Sequence, residues 1–392
     1  MAKIAVLGFG TVGGGVARVL EEDRAAIAAR LGEEISLKRI LVRHFRESPW
    51  RDRMTDRLED ITEDPEISVA VEVIGGVDAA YDYTRRCLMS GKHVVTANKQ
   101  LVAERGRELL ELAEAHGVQY LFEASVGGGI PLLHPLVNCL GANEIQEVCG
   151  ILNGTTNYIL TQMTERGERF GTALKAAQEK GYAEADPTAD VAGIDAGRKT
   201  CILADLAFGR ETPPEKVPME GITALDLRDV AIARQAGFRV KLLGRTLRLP
   251  DGGYAAYVAP HLIPEGKPMA HVSGVFNAAV IRGSAVGETL FCGPGAGAYP
   301  TASACVSDVM NVLAGPAPFR FRWEAPEGLR DTGEVVSRWY LRTDADAPAV
   351  RAAFPQAEAL TEGAFLTGPL TGFALEERCR SLSVLARYRV LD

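Results

Sequence analysis

The feature that most constrains this chain lies within its first thirteen residues. Lys3–Leu7 is an apolar, β-rich run that ends directly in Gly8-Phe9-Gly10-Thr11-Val12-Gly13, a GxGxxG sequence. The spacing alone is weak, because a chain with 41 glycines can meet it by chance. Its place decides the reading: a strand precedes it and a helical pattern, from about Gly13 to Leu31, follows. Each glycine then has its own task. Gly8 permits the tight turn, Gly10 lets backbone approach a pyrophosphate, and Gly13 lets the helix pack close to the strand. The helix start offers N–H groups and a positive dipole end to phosphates. Phe9, Thr11 and Val12 complete the loop. A glycine turn without a ligand would satisfy the same letters, but less well in this setting.

The alternation continues. Ile35–Val42, Val69–Ile74 (ended by Gly75-Gly76), His93–Thr96 and Gln119–Phe122 read as strands, and Asp78–Ser90 and Gln100–His116 as helices. Strands alternating with helices predict βαβ units and a parallel sheet. Residues 1–130 are therefore expected to form a Rossmann-type α/β dinucleotide-binding domain. From about Pro131 a helix is expected to lead into a strand at Ile145–Leu152. A polar loop (Gly181–Pro187), a helical stretch (about Val191–Phe208) and long β-rich runs at Phe238–Leu247 and Tyr254–Leu262 follow. This predicts a second domain, of α+β type, over 131–295. Ala296–Leu313 reads as a helix after a glycine-rich loop, so 296–320 is expected to return to the first domain. Residues 335–392 read as a small ferredoxin-like module: strand Val335–Thr343, helix Ala347–Phe354, a pairing run Ala364–Gly368, helix Phe373–Leu382 and strand Ser383–Val390.

Composition narrows the classes. The 392 residues suffice for two or three domains, with 47% hydrophobic and 24% charged residues. A formal net charge of -8 argues against a nucleic-acid partner, which needs a basic face. The longest apolar runs are strand-sized, so no membrane span is expected. The first residues run straight into a strand without the pattern of a secretory signal, and a cytoplasmic location is expected. Seven widely spaced cysteines without CxxC, and six scattered histidines without HxxxH or HxH, suit reduced thiols rather than disulfides or a zinc site.

The second strand bears on the cofactor. An NAD site usually places an acid at its end to bind the ribose hydroxyls. This chain has Leu41-Val42-Arg43-His44, with Arg46 close by. A guanidinium at Arg43 suits a 2′-phosphate, so NADP is expected over NAD. A solvated surface arginine is the plainer alternative.

Further motifs carry a resemblance. They are Thr96–Lys99 (TANK), Glu123–Pro131 (EASVGGGIP), Gly150–Leu160 (GILNGTTNYIL), Gly181–Lys199 (GYAEADPTADVAGIDAGRK) and Gly293–Ala304 (GPGAGAYPTASA). With Gly8–Gly13, in this order and over about residues 1–320, the chain resembles the homoserine dehydrogenase family. The resemblance implies reversible reduction of L-aspartate 4-semialdehyde to L-homoserine with NAD(P)H, in threonine and methionine biosynthesis. It also implies that the 131–295 domain binds substrate and forms a homodimer. No kinase-like region precedes the glycine fingerprint, which suits the monofunctional form.

Hydride addition to an aldehyde leaves negative charge on its oxygen, which needs stabilisation and a proton. A lysine can serve as point charge and acid. Lys99 and Lys199 are the candidates. Lys199 lies four residues after Asp195 on an expected helix, so both share a face. Such a pair on a surface is worth only a few tenths of a kcal/mol and is far commoner than a catalytic one. The surrounding motif favours catalysis. By resemblance, Lys199 is the proton donor, Asp195 helps hold substrate, Glu184 takes the substrate ammonium with Asp190 in support, and Thr155 contacts substrate. Lys99 follows a strand whose carboxyl end should face the cofactor, and the resemblance assigns it to the cofactor and substrate region. Gly181 and Gly297 are expected near the cofactor. The resemblance further implies a monovalent cation, sodium, held by Glu123, Val126, Gly128 and Ile130, largely through main-chain oxygens; a domain hinge would use the same glycines.

The C-terminal module departs from the amino-acid-binding ACT pattern found in many members. Ala349 stands where a glycine usually follows the proline that opens the first helix. Two other functions compete with the main reading. An acylating semialdehyde dehydrogenase would need a cysteine nucleophile in a suitable motif, and a non-catalytic cofactor-binding regulator would not need Lys199 or Glu184.

Overall fold

The computed structural model describes residues 1–315, 321–361 and 363–392. The chain forms two compact units. The first comprises 1–143, 205–213 and 293–325, and the second 144–204, 214–292 and 326–392. Among the described residues no helix is long and apolar enough to cross a membrane.

The first unit is a six-stranded sheet in the order Met54–Thr55, Ile35–Leu41, Ala2–Leu7, Ile67–Glu72, His93–Thr96, Tyr120–Leu121. All of its pairings are parallel. The order reverses between Ala2–Leu7 and Ile67–Glu72, the switch point where doubly wound sheets bind ligands. Ile4, Ala5, Val6, Leu7, Val69, Ala70 and Val71 are fully buried. That explains why these strands read as continuous apolar runs rather than alternating ones. The helix expected from Gly13 to Leu31 is two helices, Thr11–Glu22 and Arg24–Leu31. Asp23 leaves helical geometry at φ -99°, ψ 13°. Only Ile27 of the second helix is buried, so little packing holds it in line with the first. The Ala298–Leu313 helix belongs to this unit and crosses the first helix at Gly15, where a Cβ would lie 2.5 Å from the Ala298 carbonyl oxygen. In place of a full helix after Pro131 there is one wide helical turn, Pro135–Cys139.

The second unit is built on a nine-stranded sheet. Its order is Gly287–Pro294, Phe276–Gly283, Ile145–Ile151, Phe238–Arg248, Tyr254–Pro264, Val384–Val390, Trp339–Thr343, Ala364–Leu366, Glu358–Thr361. The last four strands come from the C-terminal segment, which packs a small core of Trp339, Leu341, Val350, Phe354, Phe365 and Leu375. The segment also continues the larger sheet, because Val384–Val390 pairs in parallel with Tyr254–Pro264. That pairing satisfies backbone groups which an open edge would leave exposed.

One helical stretch differs from expectation, and one helix was not foreseen in the sequence. The Val191–Phe208 stretch breaks at Gly193 (φ +81°) into Thr188–Val191 and Ile194–Phe208. The Gly154–Arg166 helix carries no amphipathic signal, because every residue from Thr155 to Thr164 is buried.

Candidate active site

In the first unit the glycine fingerprint forms a strand-to-helix turn. Gly8 has φ +95°, and a side chain there would press on the Val73 carbonyl at 3.0 Å. At Gly13 a Cβ would sit 2.2 Å from the Gly8 carbonyl oxygen, which explains the glycine by close packing. A Cβ at Gly10 would meet no atom within 4 Å, so that position is open on its outer side. Gly10 caps the Thr11–Glu22 helix without any side-chain hydrogen bond. The first-turn N–H groups at Thr11, Val12 and Gly13 therefore have no side-chain cap, as an anion site requires.

Phe9 is buried edge-on against Trp50 (5.8 Å between centroids), with the Arg46 guanidinium 4.9 Å from its ring centre. Arg43 is exposed just past the carboxyl end of Ile35–Leu41. Gly297 (φ +129°) caps the Ala298–Leu313 helix, also without a side-chain bond. Lys99 is half-buried and opens the Lys99–Ala115 helix directly after the His93–Thr96 strand. The Asn98 side chain caps that helix by accepting from the Leu101 N–H.

The 123–134 segment is the expected cation loop. Glu123 is buried, and its carboxylate accepts from the N–H groups of Leu132 (2.5 Å), Leu133 (2.8 Å) and His134 (2.6 Å). Its own N–H donates to Asp308 Oδ2, whose Oδ1 lies 2.7 Å from His134 Nε2. Burial, then the Asp308 charge, pushes the Glu123 carboxyl above its usual range. Gly127 (φ +79°) and Gly128 (φ +60°) turn the chain, and a Cβ at Gly128 would overlap the Gly295 carbonyl at 2.4 Å. Among the described residues the carbonyls of Val126, Gly128 and Ile130 accept no hydrogen bond. No group of three or more His, Cys, Asp or Glu side chains there is arranged to hold a metal. A cation in this loop would therefore be bound mainly by backbone oxygens, and the Glu123 side chain serves the loop itself.

In the second unit the Gly181–Lys199 block folds back onto the Gly150–Leu160 block. Lys199 Nζ lies 2.8 Å from Asp195 Oδ2 and 2.7 Å from the Leu152 carbonyl oxygen. Both side chains are buried, at 9% and 7% exposure, which separates this pair from ordinary surface i,i+4 pairs. Asn153 completes the cluster. Its Nδ2 donates to Asp190 Oδ1 (2.7 Å) and Asp195 Oδ2 (2.9 Å). Its Oδ1 accepts from the Thr156 N–H, capping the Gly154–Arg166 helix. Burial raises the Asp190 carboxyl against the Asn153 hydrogen bond, and the Asp195 charge adds to the rise.

Asn153 and the Leu152 carbonyl escaped the sequence reading. Asn153 did carry a signal, an Asn immediately before a helix start. Thr155 Oγ1 donates to the Tyr182 carbonyl, 2.6 Å away. Glu184 stands apart. It is exposed in the 181–187 loop, where its main-chain oxygen accepts from Gln178 Nε2. No hydrogen bond among the described residues joins its carboxylate to the buried cluster. Gly181 (φ +72°) is exposed where the same loop begins.

These motifs are shared with known proteins. Residues 131–310 match the family described as homoserine dehydrogenase, and 8–123 match its NAD-binding domain. The homoserine dehydrogenase of Neisseria gonorrhoeae is 44% identical over 357 residues, spanning 88% of this chain and 82% of that protein. The chain belongs to the homoserine dehydrogenase family. The Synechocystis homoserine dehydrogenase is likewise 44% identical, over 79% of this chain and 73% of its own length. The crystal structure of a homoserine dehydrogenase from Thiobacillus denitrificans superposes with a TM-score of 0.92 at 37% identity, covering 100% of this chain and 98% of that one. A hyperthermophilic archaeal homoserine dehydrogenase in complex with NADPH has a TM-score of 0.69 at 28% identity, over 82% of this chain and 99% of its own. The first unit thus carries the family's nicotinamide-dinucleotide-binding domain, and the Asp195–Lys199 cluster lies within residues 131–310, which match the family's other domain.

Proposed function

We propose that the chain reduces L-aspartate 4-semialdehyde to L-homoserine, reversibly and with a nicotinamide dinucleotide, in threonine and methionine biosynthesis, with Lys199 supplying the proton. One observation carries this reading: a buried ammonium held between the Asp195 carboxylate and the Leu152 carbonyl.

When bound, the reduced cofactor supplies a hydride to the aldehyde carbon. The aldehyde oxygen gains charge as its C=O bond becomes single. Lys199 neutralises that charge and transfers a proton to the oxygen, yielding the alcohol. In the reverse direction neutral Lys199 takes the proton back. Asp195 and the Leu152 carbonyl fix the direction of the ammonium. Glu184 receives the substrate ammonium, with Asp190, Asp195 and Thr155 shaping the site. Gly8–Gly13 hold the pyrophosphate, Gly181 and Gly297 approach the cofactor, and Lys99 lies toward the nicotinamide. Arg43 at the second strand favours the 2′-phosphate of NADP. Val126, Gly128 and Ile130 supply carbonyls, next to Glu123, for a sodium ion. We also propose a homodimer formed through the second domain and a cytoplasmic location.

The acylating alternative needs an activated cysteine. Burial instead pushes the Cys87 and Cys149 thiols up to about 12, and Cys305 higher still. The deciding assay is NADPH oxidation with L-aspartate 4-semialdehyde. Turnover is expected, and its absence overturns the proposal. Replacing sodium by choline in the same assay tests the cation, light scattering tests the dimer, and rates with NADH against NADPH test Arg43.

A further inference from the structure

Glu72 was not among the residues singled out in the sequence, yet it is the only charged side chain in the Ile67–Glu72 strand. It is fully buried at the carboxyl end of that central strand. A carboxyl group at 0% exposure is costly unless its oxygens are engaged. Its Oε1 accepts from the Ile74 N–H at 2.7 Å, and Oε2 from the Thr96 hydroxyl at 2.6 Å. Thr96 Oγ1 in turn accepts from the Asn98 N–H at 2.9 Å. The Asn98 amide donates back to the Gly76 carbonyl at 2.7 Å and accepts from the Leu101 N–H. The links close a loop from Glu72 through Thr96 and Asn98 back to the Gly75-Gly76 turn. Both of those glycines have positive φ, +84° and +72°. The Glu72 main-chain oxygen adds a bond from the Ala97 N–H, at 3.3 Å.

One side chain therefore joins the turns that leave two neighbouring strands of the dinucleotide-binding sheet. The second turn delivers Lys99. Ligands of such sheets lie outside the carboxyl ends of the strands, so these turns form the floor on which a cofactor would rest. A carboxyl that served only to fill the core could be replaced by an apolar side chain; this one engages both oxygens with turn atoms instead.

We propose that Glu72 is a positioning residue that sets the 74–76 and 96–99 turns for the nicotinamide cofactor. It holds the turns through hydrogen bonds and touches neither substrate nor reacting atoms. The proposal rests on the reading of Lys99 and its turn as facing the cofactor. Burial also pushes the Glu72 carboxyl above its usual range, opposed by its hydrogen bonds to Thr96, Ile74, Gly75 and Asn98. Glutamine keeps both links by geometry, because its oxygen accepts from the Ile74 N–H and its amide donates to the Thr96 hydroxyl, which can accept as well as donate.

The test is NADPH affinity of the intact protein, read by cofactor fluorescence, alongside the melting temperature. E72A should weaken NADPH binding about tenfold or more, since two hydrogen bonds to the turns are lost. T96V removes one tie with little change of volume and should weaken it about three- to tenfold. E72Q should restore affinity to near the parent value. If E72A does not fold, T96V and E72Q carry the test. A purely structural carboxyl would lower the melting temperature and leave the affinity of the folded variants unchanged. That result, or an E72Q protein binding NADPH no better than T96V, overturns the proposal. A parent protein that binds NADPH but does not reduce the semialdehyde would refute the proposed reaction and leave this measurement valid.

Discussion

Lys199 Nζ stands 2.8 Å from Asp195 Oδ2, one helical turn away and buried with it. A buried ammonium at that distance is oriented, and its charge is felt more strongly than in water. Lys199→Ala should lower turnover about 10²- to 10⁴-fold, the range for losing a positioned general acid. NADPH affinity should stay within experimental error of the parent. Steady-state rates combined with a binding titration check both halves; a variant that keeps its turnover removes Lys199 as proton donor.

Asn153 divides its amide between two carboxylates 37 and 42 residues further along the chain. Asn153→Ala removes a helix cap, worth about 1 kcal/mol. It also leaves Asp190 and Asp195 without a shared donor. Turnover is expected to fall about tenfold or more, because hydrogen bonds to charged groups are worth more than the cap. Parallel unfolding curves and kinetics separate the two effects, and a loss of stability without loss of rate would confine Asn153 to capping.

The exposed Arg43 guanidinium should act only on a cofactor bearing a 2′-phosphate. Arg43→Asp is expected to raise KM for NADPH about tenfold or more while leaving or improving that for NADH. An equal effect on both cofactors would contradict the NADP reading.

Gly13 admits no side chain. A Cβ would stand 2.2 Å from the Gly8 carbonyl oxygen, which is backbone and cannot swing aside. Gly13→Ala should cost about 1–3 kcal/mol by overpacking and should displace the turn that receives the pyrophosphate. Chemical denaturation and NADPH titration would both register it; unchanged cofactor affinity would mean that the turn tolerates the shift.

His261 gives the second unit an acid-sensitive term. It is fully buried, its Nδ1 faces the Ala259 carbonyl at 2.9 Å, and burial, then the Arg245 charge, holds its imidazole down to about 3. In the unfolded chain the group takes a proton near pH 6.5. Below about 6.5 the unfolded state therefore binds more protons than the folded state, and stability falls as the pH drops towards 3. The slope from this group approaches about 1.4 kcal/mol per pH unit. Urea unfolding at pH values from 7 down to 5, in the parent and in His261→Gln, should show a steeper decline in the parent. Parallel declines would show that His261 is not the source.

Much of this was legible in the letters. The alternation of apolar strands and helices, and three glycines at fixed spacing, gave the doubly wound sheet and its phosphate turn. Both are set by local geometry: the strand run, the positive φ of Gly8 and the tight approach at Gly13. The i,i+4 spacing of Asp195 and Lys199 was likewise local, and the Gly181–Lys199 motif marked the pair as more than a surface contact.

Other features depended on residues far apart in sequence. No periodicity announced the Gly154–Arg166 helix, because packing surrounds it on every side and erases the amphipathic stripe. Nothing local tells that Val384–Val390 will join the Tyr254–Pro264 strand, so a segment that reads as a separate module extends the larger sheet. The same holds for the side chains. The sequence by itself determined the turn of Gly8–Gly13 and the one-face pairing of Asp195 with Lys199, since backbone sterics and helix pitch act over a few residues. Only the tertiary structure decided that the pair is buried, that Asn153 and the Leu152 carbonyl orient it, and that Glu72 ties two turns together, because burial and hydrogen-bond partners are fixed by elements that meet only when the chain is folded.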